Sequence, residues 1–132
     1  MAFTPVRYDE GKSTEVKMVA SQTVAKYDAL VEDGNGYYSR ATSAATEVRY
    51  VALEAKVDDG TNEKLLVLPT DDVEFIADCN TTPVQTDVGT KADLTDHDTL
   101  DESTSATDVF FIEEIVSAAD KKVRGYFVMK TT

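Results

Sequence analysis

Residues 29–41 read Ala-Leu-Val-Glu-Asp-Gly-Asn-Gly-Tyr-Tyr-Ser-Arg-Ala. One apolar run, Ala29 to Glu32, meets Asp33-Gly34-Asn35-Gly36, and a second run, Tyr37 to Ala41, leaves it. Gly and Asn tolerate positive φ, so this tetrad between two strand-forming runs is the strongest hairpin signal in the chain. The same grammar continues on either side. Val16 to Ala20 is a short strand candidate. Arg49 to Lys56 alternates, with Tyr50, Ala52 and Glu54 opposite Val51, Leu53 and Ala55, and Asp58-Asp59-Gly60-Thr61-Asn62 turns the chain again. Lys64 to Leu68 is almost wholly apolar, which suits a buried strand, and Pro69 stops it because it donates no ladder hydrogen bond. Val73 to Cys79 alternates once more. Val109 to Val116 and Lys122 to Met129 form the last pair, joined by Ser117-Ala118-Ala119-Asp120. Apolar spacing of 3.6 residues nowhere persists beyond a turn or two, so little helix is expected.

The expected fold is therefore all-β: a small antiparallel β-barrel or sandwich with a second β lobe and an extended N-terminal arm. The arm covers 1–15, the barrel core 16–79, and the second lobe 80–132, entered through Asn80-Thr81-Thr82-Pro83 and a polar stretch reaching about Thr107. Alternation predicts burial of Val51, Leu53, Leu66, Leu68, Phe75, Phe111, Ile115, Tyr126 and Val128. The arm shows no alternation and mixes charges with Pro5 and Gly11, so it is expected to be mobile in the free protein.

Charge narrows the function. The 132 residues carry 25 acids against 13 bases, a formal charge of −12, with fourteen acids and a single lysine between Asp71 and Asp120. Phosphate binding depends on a surplus of Lys and Arg, so nucleic acid is disfavoured as a partner, and so is an anionic membrane surface. The opening residues contain no apolar core of signal-peptide length, and no apolar run suffices to cross a bilayer. One Cys and one His leave a disulfide framework impossible within the chain and a His/Cys metal site short of ligands. Cys79 reads as a small buried hydrophobe and His97, in Thr95-Asp96-His97-Asp98-Thr99, as an exposed, idle side chain. Asp93, Asp96, Asp98, Asp101 and Glu102 could offer oxygens to Ca²⁺, but the spacing lacks the glycine turn of a calcium loop and reads as a solvated acidic loop. Lys17 in Val16-Lys17-Met18 sits inside an alternating strand rather than at the hairpin tip of a biotin carrier. No nucleotide-binding motif and no nucleophile–base pair stands out, so neither an enzyme nor a cofactor is expected.

The run from Lys17 to Thr42, KMVASQTVAKYDALVEDGNGYYSRAT, resembles small head proteins of tailed bacteriophages. RYVALEA (49–55), DVGTKADL (87–94), STSATDVFFIEEIV (103–116) and VRGYFV (123–128) continue the likeness. What the resemblance implies is capsid decoration, or cementing. Such a protein binds the outside of an expanded head, contacts the major capsid protein and perhaps, as a trimer or other capsid-axis oligomer, copies of itself, and has no active site. Its place would be the outer surface of the virion, after synthesis in the host cytoplasm. Phe3, Val6 and Tyr8, on an arm able to add a strand to a neighbour's sheet, and Tyr37 and Tyr38 are the candidate capsid contacts. Two other readings stay open: a carbohydrate- or receptor-binding module displayed on a virion, which predicts a tyrosine-lined groove, and a small enzyme, which predicts a cleft with shifted pKa values.

Overall fold

The computed structural model describes residues 3–129. Thirteen strands follow one another: β1 (Phe3–Pro5), β2 (Thr14–Met18), β3 (Thr23–Val24), β4 (Ala29–Glu32), β5 (Tyr37–Arg40), β6 (Tyr50–Ala52), β7 (Lys56–Val57), β8 (Lys64–Pro69), β9 (Phe75–Asp78), β10 (Lys91–Leu94), β11 (Leu100–Asp101), β12 (Phe110–Ser117) and β13 (Lys122–Phe127). Two single 3₁₀ turns, Glu10–Lys12 and Gln85–Asp87, are the helical elements among the described residues. The fold is all-β. Strands β2-β5-β4-β6-β8 close a barrel, β1-β9-β13-β12-β10-β11 form a six-stranded sheet, and β3 pairs with β7. The pairs are antiparallel except β2 with β5, which run parallel where Lys17 and Met18 face Tyr37 and Tyr38.

The β4–β5 hairpin forms where the tetrad predicts it. Gly34 and Gly36 take φ of 93° and 90°. The Asp33 carboxylate accepts the Asn35 N–H at 2.7 Å and that of Glu32 accepts the Gly36 N–H at 2.6 Å. These bonds give the turn's amides partners that the strands cannot supply.

Two apolar clusters organise the packing. Met18, Val24, Leu30, Ala52, Leu65 and Val67 fill the barrel. The larger cluster lies between barrel and sheet: Ala29, Val51 and Leu68 from the barrel strands meet Phe3, Phe75, Ala77, Leu94, Phe110, Ile112, Val123 and Phe127. Strand β8 is buried on one face along its length and on the other at its C-terminal end: Leu65 and Val67 belong to the barrel cluster and Leu68 joins the shared core. A strand covered on both sides gains from apolar residues at every position. Phe3, Phe75 and Phe110 surround Phe127 at centroid distances of 5.0–5.2 Å, each close to edge-on.

Several expectations are corrected. The N-terminal segment is not a loose arm. Strand β1 pairs with β9, placing Phe3 opposite Ala77, and Phe3 is fully buried. The Asp9 carboxylate accepts the Gly11 N–H at 2.8 Å, and β2 already starts at Thr14. Packing of one large aromatic offsets the ordering entropy of the short stretch that carries it. Strand β9, assigned to the barrel segment 16–79, belongs instead to the six-stranded sheet, between β1 and β13. Among the core residues, Val51, Leu68 and Phe75 are buried as expected, whereas Leu53, Leu66, Phe111, Ile115 and Val128 are half-buried and Tyr126 is 40% exposed. On β12 and β13 the inward face is Phe110, Ile112, Val123, Gly125 and Phe127, one residue out of phase with expectation. Register breaks between Ile112 and Glu114 and between Ile115 and Ser117 interrupt the period of two;.

Candidate functional site

The acids account for much of the surface architecture, because many of them hold loops. Asp93 sits in β10 between Ala92 and Leu94, 5% exposed. Its Oδ1 accepts the N–H groups of Thr107 and Asp108 at 2.7 and 2.9 Å, and Oδ2 accepts that of Ala106 at 2.9 Å. Burial pushes this carboxyl upward, but the three backbone donors outweigh it and hold it below its ordinary range;. Asp58 anchors the 58–63 turn in the same way. Glu63 N–H donates to its Oδ1 at 2.6 Å, and Ser21, Gly60 and Asn62 N–H groups donate to Oδ2. Its carboxyl is likewise lowered, first by the Glu63 bond and, against the opposing effect of burial, by the other three. Glu102 is buried and accepts from Thr81 N–H at 3.0 Å and Thr81 Oγ1 at 2.6 Å.

The string from Asp93 to Glu102 is therefore not one solvated loop. Its two ends are buried anchors, and Asp101 caps its own turn by accepting from the Ser103 and Thr104 hydroxyls. Asp58, Asp59 and Glu63 bring carboxylate oxygens within 4.8 Å of one another. Those oxygens already serve turn donors, Asp59 for Thr61 and Glu63 for Asp59 N–H.

His97 is not idle. Its Nδ1 lies 3.0 Å from Oδ1 of Asp28, a fully buried carboxylate, and its Nε2 lies 3.2 Å from the Arg40 guanidinium. Arginine only donates and the carboxylate only accepts, so the ring bridges the two, Nε2 toward the donor and Nδ1 toward the acceptor. The His97 carbonyl also accepts the Ala29 N–H at 2.8 Å. This chain clamps the 95–99 turn onto the barrel at β4 and β5. The outer imidazole nitrogen, where a catalytic pair would hold a nucleophile, is occupied by Arg40. Burial, reinforced by the charges of Glu102, Asp87 and Asp78, pushes the Cys79 thiol up to about 12, so it stays protonated and unreactive;.

Two depressions bear on the candidate contacts. One, about 580 Å³, lies beside the β4–β5 hairpin and is lined by Leu30, Glu32, Tyr38, Thr42, Glu47 and Arg49 among others. Tyr38 packs edge-on against Tyr50 at 5.3 Å, and Arg49 pairs with Glu47 at 3.0 Å. Burial, then the neighbouring Tyr50 and Glu32, raise the Tyr38 phenol above its usual range, so it remains a hydrogen-bond donor. The other, about 470 Å³, lies between residues 71–74 and the end of β13.

The candidate contact residues divide between the two sheets. Phe3 is core and cannot touch a partner. Val6 is 41% exposed, and its N–H donates to the Glu74 carbonyl at the six-stranded sheet. Tyr8 is half-buried against the shared core. Tyr37 and Tyr38 lie on the barrel, both half-buried, and Tyr38 lines the larger depression. Sequence reasoning did not single out Asp28, read Asp93 as part of a solvated string, and placed Tyr126 in the core. An acid embedded in an apolar strand, as in Ala92-Asp93-Leu94, was the available signal for the second of these.

No protein-family model matches this chain, and a search of curated proteins finds none similar to it.

Proposed function

We propose that this chain is a structural virion protein that binds the outside of a tailed-phage capsid and cements contacts between major capsid protein subunits. The observation that carries the proposal is the fastening of its loops. Buried carboxylates at Asp28, Asp58, Asp93 and Glu102 tie down segments that an enzyme would keep free to close over substrate;. A module clamped in this way meets a partner pre-ordered, which lowers the entropic cost of binding and resists deformation under load. The closed barrel presents no sheet edge, and the edges of the second sheet, β1 and β11, are only three and two residues long. Short edges limit unwanted strand pairing at the high local concentration of a capsid surface. A net charge of −12 keeps the protein off packaged DNA;. The partner proposed, on the resemblance read in the sequence, is the major capsid protein, with copies of the chain itself around a capsid axis.

The test is co-sedimentation of the purified chain with expanded capsids that lack a decoration protein. Saturable binding, at a copy number set by the capsid lattice, is expected; absence of binding overturns the proposal. One observation favours a second reading, a carbohydrate- or receptor-binding module: Tyr38, Glu32 and Arg49 converge on the larger depression. Glycan binding abolished by Tyr38→Ala would favour that reading over cementing.

A further inference from the structure

The smaller depression is lined by both apolar and acidic side chains. Val73 and Phe127, 4% and 2% exposed, form its base, and Tyr126 and Met129 flank them. Asp71, Asp72 and Glu74, all exposed, complete the lining. The acidic side continues through Glu74 onto the outer face of the six-stranded sheet. There the Glu113 carboxyl lies beside that of Glu74, and its Oε1 is buried with no hydrogen-bond partner. Arg124 is the cation among them, 3.0 Å from Glu114 and 3.9 Å from Glu74. Three carboxylates, Glu74, Glu113 and Glu114, thus gather around the Arg124 guanidinium on the sheet that carries the exposed Tyr126 ring. Tyr126 stacks on Phe111 at 5.2 Å, which holds that ring in place. Val6, whose N–H donates to the Glu74 carbonyl, is a further exposed apolar side chain on this part of the sheet.

We propose that this groove docks a protein segment carrying a lysine or arginine next to an apolar side chain; on the capsid reading, which this inference deepens, that segment belongs to the major capsid protein. Charge complementarity selects the occupant. A long basic side chain can lay its alkyl stem over Tyr126 and Met129 and deliver its cation to Asp72 and Glu74. Its apolar neighbour then covers Val73 and Phe127. A second copy of this chain, itself at −12, would meet repulsion at the same place;.

Two measurements test it. The first titrates the isotope-labelled protein with a short alternating Lys/Leu peptide and with its Glu/Leu counterpart, read by NMR. Shifts centred on Val73, Glu74, Tyr126 and Met129 are expected with the basic peptide alone, weakened about tenfold in Asp72→Asn/Glu74→Gln and in about 0.5 M salt. Tyr126→Ala, at an exposed position, should weaken binding without altering the circular dichroism spectrum. Shifts elsewhere, or equal shifts with the acidic peptide, overturn the groove assignment. The second compares wild type and the double variant in capsid sedimentation. Wild-type binding that the double variant retains in full overturns the groove and leaves the capsid reading standing. A wild-type chain that binds the basic peptide at the groove but no capsid overturns the capsid reading and leaves the groove standing.

Discussion

Asp93 shows how one carboxylate fastens a loop. It accepts three backbone N–H groups, from Ala106, Thr107 and Asp108, which would otherwise lack partners at the sheet end;. Asp93→Ala should cost about 2–4 kcal/mol, measured by urea unfolding, because it orphans those donors as well as removing an ion. The pH dependence has a definite sign. Asp58 and Asp93 have lowered folded values, so the stability they contribute is complete above the ordinary carboxylate range and is lost as pH falls through those lowered values;. Acid unfolding of the Asp93→Asn variant should be less steep below about pH 4 than that of wild type. None of these partnerships could be read from spacing. Asp28 and His97 stand 69 residues apart, and Asp93 reaches its donors 13–15 residues on. The sequence displays the acids, but only the fold decides which of them turn inward.

At the scale of the element, β12 and β13 show where alternation fails. Each strand carries adjacent apolar residues, Phe110 with Phe111 and Tyr126 with Phe127, so either phase presents an aromatic face. The bulges in β12 then remove the long uninterrupted run that would have decided between them;. Gly125 carries the missing information. A Cβ there would stand 1.9 Å from the Phe111 carbonyl oxygen and 2.8 Å from Phe110 Cε2, so β13 must present its bare Cα to β12. Gly125→Ala should destabilise by more than about 3 kcal/mol or prevent folding, checked by thermal melting against a surface control such as Val116→Thr. On the outer face of the same sheet, the Glu74 contact raises the Glu113 carboxyl above its ordinary range, with burial adding to the effect. Folding therefore favours its protonated form, and the penalty grows as pH rises through the raised value. Glu113→Gln should stabilise the protein by a few tenths of a kcal/mol at neutral pH, a gain that shrinks toward about pH 4.5. By contrast the β4–β5 hairpin was legible at once, because turn chemistry is local: Asp33, Gly34 and Gly36 set it without help from the rest of the chain.

For the whole molecule, the decisive feature is the core shared by barrel and sheet, in which Phe3 meets Phe110 and Phe127 while Ala29, Val51 and Leu68 arrive from the barrel. Phe3→Ala should cost about 3–4 kcal/mol. Unfolding followed by tyrosine fluorescence, sensitive to Tyr38 and Tyr50 in the barrel, should superimpose on unfolding followed by far-UV circular dichroism; two separate transitions would contradict one shared core. The N-terminal segment read as a mobile arm in the sequence because its anchor is a single aromatic whose ring partners, Phe110 and Phe127, lie more than 100 residues away. A clamped, acidic, short-edged module of this kind is suited to holding neighbours together, and the most direct test acts on the assembly it is proposed to hold. DNA-filled heads with and without the protein should be heated and their release of DNA followed by dye fluorescence. The account expects complete heads to release DNA at a temperature several degrees above that of heads lacking the protein, with the difference restored by adding the purified chain. Identical release temperatures for both would contradict it.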